Sequence, residues 1–323
     1  MKVLVSGGAG YIGSVLVRLL LERNYQVRVI DNLLYGGESI VDLLNNSNFE
    51  FYKGDIRKQQ DLLNVLEGID VIAHLAAIVG DPACAKQPDI ALETNLNASK
   101  VFYDLANKNR VKRFVFASTC SNYGKMKNSN IYVNEESILA PVSLYAETKV
   151  QFEQFLLKQD KNNICKPTCL RFSTVYGLSS RPRFDLTVNE FTREIALGRE
   201  LVVFGEQFWR PYCHVIDLAR SVINVIESND EQVAFEVFNV GDTEENYTKQ
   251  MIVDEISRQI PDAKIKFVKK DEDPRDYRVN FDKIRNRLKF NIKMKVPDGI
   301  FQINKAISSG LIKNPDDDKY RNV

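Results

Sequence analysis

Short apolar runs alternate with stretches of helical periodicity over the first half of the chain. Lys2–Ser6, Gln26–Ile30, Phe49–Tyr52, Val71–Leu75, Arg113–Ala117 and Thr168–Phe172 read as strands. Between them, Gly10–Glu22 carries Ile12, Leu16, Leu19 and Leu20 at the spacing of one helix face. Further helices are predicted at Ser39–Leu44, Gln60–Leu66, Ile90–Asn107 and Leu144–Leu157. Strands this short and apolar, each followed by a helix, predict an α/β fold. Its centre is a doubly wound parallel sheet covered on both faces.

The regularity weakens after Val175. Val188–Ala196, Leu218–Ile226 and Tyr247–Ile260 read as helices, and Leu201–Phe204 and Phe235–Val240 as strands. Lys266–Arg278 is dense in charge and is expected to loop over the surface, while the polar tail Lys313–Val323 is expected to fray. No sharp linker separates the halves. The expected division is a first domain over 1–175, to which 213–240 returns, and a smaller second domain over 176–323.

The chain has 323 residues, 44% apolar and 27% charged, with 16 Gly and 10 Pro, which excludes a fibrous or low-complexity protein. Lys plus Arg is 44 and Asp plus Glu is 43, a net charge of +1 that gives no support to nucleic acid or an anionic membrane as partner. A membrane span needs roughly 18 apolar residues, and the longest candidate, Val71–Val79, is about half that and is broken by His74. The opening apolar stretch is too short for a signal peptide. Five scattered Cys and two His suit neither a disulfide framework nor a zinc site. A reducing, cytoplasmic setting is expected, with Cys165 and Cys169 as small core residues.

Gly7, Gly10 and Gly13 follow the first strand and open the first helix. This spacing gives a tight turn, a close backbone approach to a pyrophosphate, and close helix–strand packing. The helix N-terminus adds free N–H groups and a partial positive charge, so Tyr11 and Ile12 join the candidate cofactor contacts. Asp31 ends the second strand roughly 20 residues on, where a carboxylate meets the adenosine ribose and repels a 2′-phosphate. Asn32 and Leu33 follow, with no Arg beside them in sequence, so NAD is expected over NADP. Asp55 and Ile56 follow the third strand and are candidates for adenine, with a helix cap as the alternative for Asp55. The small Ala76 and Ala77 after Leu75 leave room for a cofactor. His74 reads as a core histidine.

Tyr145 and Lys149 are four apart on a predicted helix and share a face. A free phenol has a pKa near ~10, and a fixed ammonium beside it favours the phenolate. Thr119 closes the fifth strand at the carboxyl edge where such sheets bind ligands, and its hydroxyl suits a substrate oxygen. In the second half, Arg210, Arg275 and Arg278 are candidates for substrate phosphate, because a guanidinium grips phosphate bidentately, and Arg183 is a further candidate for substrate binding.

These pieces together resemble the NAD-dependent nucleotide-sugar epimerase/dehydratase family of extended short-chain dehydrogenases/reductases. The matching motifs include Gly7-Gly8-Ala9-Gly10-Tyr11-Ile12-Gly13, Asp31-Asn32-Leu33, Gly54-Asp55-Ile56, His74-Leu75-Ala76-Ala77, Asn95, Ser118-Thr119-Cys120, Tyr145-Ala146-Glu147-Thr148-Lys149 and His214-Val215-Ile216-Asp217. The resemblance implies a Rossmann domain, a smaller C-terminal substrate domain and a nucleotide sugar between them. It implies NAD held by the glycine turn and Asp31, with Asn95 also at the cofactor, and a homodimer through a four-helix bundle formed by Ile90–Asn107 and Leu144–Leu157.

Within the family, 4,6-dehydratases carry an acidic pair after the catalytic Thr, whereas Cys120 and Ser121 stand here. Enzymes that epimerise at C3 and C5 use a Cys at the place of Ser121. What remains is Thr119, Tyr145, Lys149 and NAD, a set sufficient for hydride transfer at C4. A 4-epimerase is favoured on family frequency. A C4 dehydrogenase or 4-ketoreductase stays open, because Arg181-Pro182-Arg183-Phe184-Asp185-Leu186 resembles members acting on GDP-heptoses and Thr174 replaces a usual substrate-contacting Asn. A non-catalytic NAD sensor is the third alternative.

Overall fold

The computed structural model describes residues 1–126, 131–269 and 275–322. Seven parallel strands form its main sheet: β1 (Lys2–Ser6), β2 (Gln26–Asp31), β3 (Phe49–Lys53), β4 (Val71–His74), β5 (Arg113–Thr119), β6 (Lys166–Phe172) and β7 (Glu236–Val240). Their order across the sheet is 3-2-1-4-5-6-7. The order in which strands are added reverses between β1 and β4, and a crevice opens there beyond the strand carboxyl ends.

Successive side chains of β1 point to opposite faces. Val3 and Val5 pack under α1 (Gly13–Glu22), and Leu4 packs on the other face with Phe102, Phe114 and Phe116. Phe102 belongs to α2 (Ala98–Lys108), which shares that face with α3 (Leu144–Leu157). A further helix, α4 (Val215–Glu227), packs on α1, and β7 joins β6 in parallel register. Burying an aromatic or aliphatic side chain of this kind contributes about 1.5–3 kcal/mol, so both faces are firmly covered.

The predicted helix over Ile90–Asn107 is interrupted. Pro88–Leu92 is α-helical, Glu93–Asn97 is a π-turn, and the α-helix resumes at Ala98. The extra residue turns Asn95 inward. Ser39–Leu44 lies in a longer 3₁₀ segment, Glu38–Asn45. Beyond the main sheet, Trp209–His214 pairs with Thr174–Tyr176 and Asn246–Thr248. Glu200–Phe204 pairs with Lys264–Val268, so part of the charged stretch is strand. Asp273 and Pro274, which precede Arg275 in the sequence, lie outside the described residues.

The tail expected to fray is docked. Tyr320 stacks edge-on against Phe184, its carbonyl accepts the Phe184 N–H at 2.9 Å, and Asn322 donates its N–H to Asp185 at 3.2 Å. A polar composition concealed these contacts because most are made by backbone. Among the described residues, no helix is long and apolar enough to cross a membrane, and no His/Cys/Asp/Glu cluster suits a metal.

Candidate active site

The crevice beyond β1, β4 and β5 is a cavity of about 380 Å³. Gly7, Gly10, Tyr11, Ile12 and Gly13 form one wall. Gly7 has φ +78°, and a Cβ there would lie 2.8 Å from the Ala76 backbone nitrogen. A Cβ on Gly13 would lie 2.1 Å from the Gly7 carbonyl. Only glycines let the turn fold this tightly, and so the start of α1 faces the cavity.

Asp31 and Asn32 form the next wall. The Asp31 carboxylate accepts N–H groups from Ala9 at 3.0 Å and Leu33 at 2.8 Å, which fixes its orientation. Burial raises its pKa, and these two bonds oppose that rise. The sequence shows no Arg beside Asp31, but the fold brings Arg181 near enough to act on its charge. Asp55, Ile56, Leu75, Ala76 and Ala77 also line the cavity. Asp55 does not cap a helix. It pairs with Arg57 at 2.5 Å, which holds its carboxyl below the usual range, and Lys58 stands at the cap position.

Asn95 is not a wall residue. It sits behind the wall, accepting the Ile78 N–H at 2.8 Å and donating to the Ile78 carbonyl at 2.9 Å. Its effect on the cavity passes through Ile78. His74 is a core residue, bonded to Ser6 at 2.7 Å and Ser99 at 2.9 Å, and burial pushes it down to about 3, so the ring is neutral.

Thr119, Tyr145 and Lys149 meet at the far end of the same cavity. Ser143 caps α3 by accepting the Ala146 N–H at 3.3 Å, which starts the helix just before Tyr145 and stacks Lys149 one turn later. Lys149 is 3% exposed and donates to the Ala117 carbonyl at 2.8 Å. Its ammonium lies 4.7 Å from the centre of the Phe116 ring and 5.8 Å from that of Tyr145. Burial draws it down to about 8.

The expectation that Lys149 keeps the phenol acidic is not met within the protein's own charges. Enclosure raises Tyr145 above its ordinary value, and the groups pulling it down are Arg183 and the Thr119 hydroxyl. The ammonium gives one of its three N–H donors to Ala117 and is itself desolvated.

Of the candidate substrate-binding arginines, only Arg183 lines this cavity. It is fixed by Asp185 at 2.6 Å. Arg210 donates to the Trp209 carbonyl at 2.6 Å and lies over Tyr277. Arg275 pairs with Asp81 at 3.1 Å. Arg278 is sandwiched between Tyr132 and Trp209, with ring centres at 4.6 and 4.8 Å. Cys120 is buried, and desolvation raises its thiol, so it fills space. Sequence reasoning missed Tyr35, Ile78, Arg181 and Asn322 as wall residues. For Arg181 the signal was present, since it stands two residues before Arg183 in a motif already noted.

A sequence model of the NAD dependent epimerase/dehydratase family matches residues 3–241. The chain belongs to this family. It is 32% identical over 258 residues to a UDP-glucose 4-epimerase of Lactobacillus helveticus, covering 75% of this chain and 76% of that one. It superimposes on a Thermotoga maritima UDP-glucose 4-epimerase solved with UDP-glucose, with TM-score 0.84, 27% identity, and coverage of 96% and 100%. A Bacillus cereus UDP-glucuronic acid 4-epimerase, solved with UDP-glucuronic acid and NAD, gives TM-score 0.85 at 27% identity, covering 96% and 99%. The family member described here is an NAD-dependent enzyme. The glycine cradle, the Asp31 carboxylate and the slot beside Ala76 and Ala77 fit a dinucleotide.

Proposed function

We propose that the protein is a nucleotide-sugar 4-epimerase working through a 4-keto sugar. One observation carries this reading: Thr119, Tyr145 and Lys149 converge at the end of the cavity that begins at the glycine turn and Asp31. NAD, when bound there, supplies a hydride acceptor and donor. Gly7, Gly10, Tyr11, Ile12, Gly13 and Asp31 would hold it.

Tyr145 exchanges the proton of the sugar C4 hydroxyl. Thr119 hydrogen-bonds that oxygen and keeps it in line with the phenol. The Lys149 ammonium supplies positive charge that favours the phenolate as the proton transfers. Arg183 adds charge at the same end and suits a substrate phosphate. The keto sugar then turns within the pocket and is reduced on its opposite face, with Tyr145 returning the proton. No further acid or base is required, and no carboxylate follows Thr119 to drive dehydration.

The division into a cofactor-binding part and a smaller substrate-binding part belongs to the same reading, with sugar and nucleotide lying towards Arg210 and Arg275. A homodimer through the helices over 90–107 and 144–157 is also proposed. Leu92 and Val101 leave apolar surface exposed on that side of the molecule.

The test is incubation with a panel of UDP-, GDP-, dTDP- and CDP-sugars, following NADH absorbance and sugar configuration by NMR. Formation of the C4 stereoisomer without net redox is expected. A ketone accumulating with stable NADH would replace the epimerase reading with a C4 dehydrogenase. Turnover of no nucleotide sugar, with NAD bound, would replace it with a sensor.

A further inference from the structure

The segment 314–322 lies outside the chemistry described above, yet it ends at the cofactor cavity. Asp316 pairs with Arg199 at 2.5 Å, and Tyr320 is pinned to Phe184 by ring and backbone. Asn322 reaches the wall of the cavity that holds Asp31. The strap is tied to that wall by Arg181, whose terminal nitrogens donate to the Asn322 side-chain oxygen at 2.5 Å and the Arg321 carbonyl at 2.9 Å.

Arg181 is unusual in what it lacks. It is 6% exposed, and its guanidinium rests 4.2 Å from the centre of the Tyr35 ring. Among the described residues, neither of its hydrogen bonds is to a carboxylate, because Asp185 is taken by Arg183 and the Asn322 backbone. Its Nε–H has no partner among the described residues. A buried cation held only by neutral acceptors, with one donor unused, is costly unless a ligand supplies an oxygen. The cavity wall it occupies is the one that carries Asp31.

A second cavity, about 770 Å³, lies on the other side of this residue. Tyr35 and Arg181 line both cavities, and the strap residues Asp318–Arg321 line the second. Arg181 and Tyr35 therefore stand where the two cavities meet, with Leu34, Gly36, Ile78 and Gln87, and the strap holds Arg181 in place.

We propose that Arg181 is a cofactor-binding residue whose guanidinium meets a ribose or phosphate oxygen of the adenosine half of NAD, and that the strap 314–322 sets how tightly the cofactor is retained by holding Arg181 there.

The test uses the holoenzyme and three variants: Arg181→Met, Asn322→Ala and a deletion of 314–323. NADH dissociation is followed by fluorescence, and ADP-ribose and nicotinamide mononucleotide binding by calorimetry. Each variant is expected to speed NADH release tenfold or more. ADP-ribose binding should weaken tenfold or more in Arg181→Met while nicotinamide mononucleotide binding changes less than twofold. Combining Arg181→Met with the deletion should add nothing to the larger single effect, because both act through one contact.

Unchanged ADP-ribose affinity in a folded Arg181→Met would overturn the proposal, as would equal weakening of both ligands. If Arg181→Met does not fold, Asn322→Ala carries the same test, since it removes one tie and leaves the guanidinium. NADH release within twofold of wild type in that variant would then refute the role of the strap. These readouts do not depend on which sugar is turned over, so they separate from failure of the epimerase reading.

Discussion

Replacing Lys149 by Met is expected to stabilise the fold while destroying turnover. Lys149 is enclosed, and its value falls from 10.5 to about 8. At about 1.4 kcal/mol per pH unit, keeping it charged at pH 7 costs about 3 kcal/mol relative to the unfolded chain. Met fills the same space without charge. It loses the charged hydrogen bond to Ala117, about 1.5 kcal/mol, and the cation's contact with the Phe116 ring, about 1 kcal/mol. A net gain of about 0.5 kcal/mol remains. The folded-state value lies below the unfolded one, so between about pH 8 and the unfolded value the unfolded chain binds more protons. Wild-type stability therefore rises with pH across that window, by about 2 kcal/mol at pH 9.5, while the variant's does not, so the gap between them closes and then reverses. Urea unfolding at pH 7 and at pH 9.5 measures both quantities. A Lys149→Met protein less stable than wild type at pH 7, or a gap that ignores pH, would refute the reasoning.

Tyr145→Phe should lower turnover about a thousandfold and leave bound NAD near normal, measured by chromatography of the released cofactor. Retained turnover would remove the phenol from its role. Asp31→Ala should weaken NAD far more than NADP, because the carboxylate that repels a 2′-phosphate goes while Arg181 stays; fluorescence titration with NADH and NADPH decides it, and equal losses refute it. Gly13→Ala drives a Cβ to 2.1 Å from the Gly7 carbonyl, so NAD binding should be lost together with about 1–3 kcal/mol of stability, read from the urea midpoint. With the proton of Lys149 needed for charge, kcat/KM should fall as pH rises through about 8. A profile flat to pH 10 would show that this ammonium is not required.

The main sheet was legible because its strands are short, apolar and punctuated by helices of clear period. Thr168–Phe172 and Phe235–Val240 were read as strands from their own residues, but their adjacency was not, since parallel pairing across more than sixty residues leaves no local trace. The π-turn at Glu93–Asn97 was hidden for a different reason. One extra residue barely disturbs a helical pattern, yet it turns Asn95 onto Ile78 instead of the cavity. The helix Val296–Ser308 buries Val296, Ile300, Ile303 and Ile307 at helical spacing, a signal the broader irregularity of the second half obscured.

For the site, residue type and spacing carried identity, while enclosure decided electrostatics. The spacing of Tyr145 and Lys149 placed both on one helix face, and the structure keeps them together. It could not show that Lys149 would donate to Ala117, nor that burial would move the two groups in opposite directions, the phenol up and the amine down. Both shifts favour the neutral form, as low-dielectric surroundings require. Raising the pH therefore strips the amine before the phenol, and the protonated phenol is the form the protein alone prefers. Proton release from Tyr145 must then draw on positive charge gathered at this end of the cavity, from Lys149 and from Arg183. That makes Arg183, reached only through the second half of the chain, part of the electrostatic balance that a four-residue spacing in the first half could not complete.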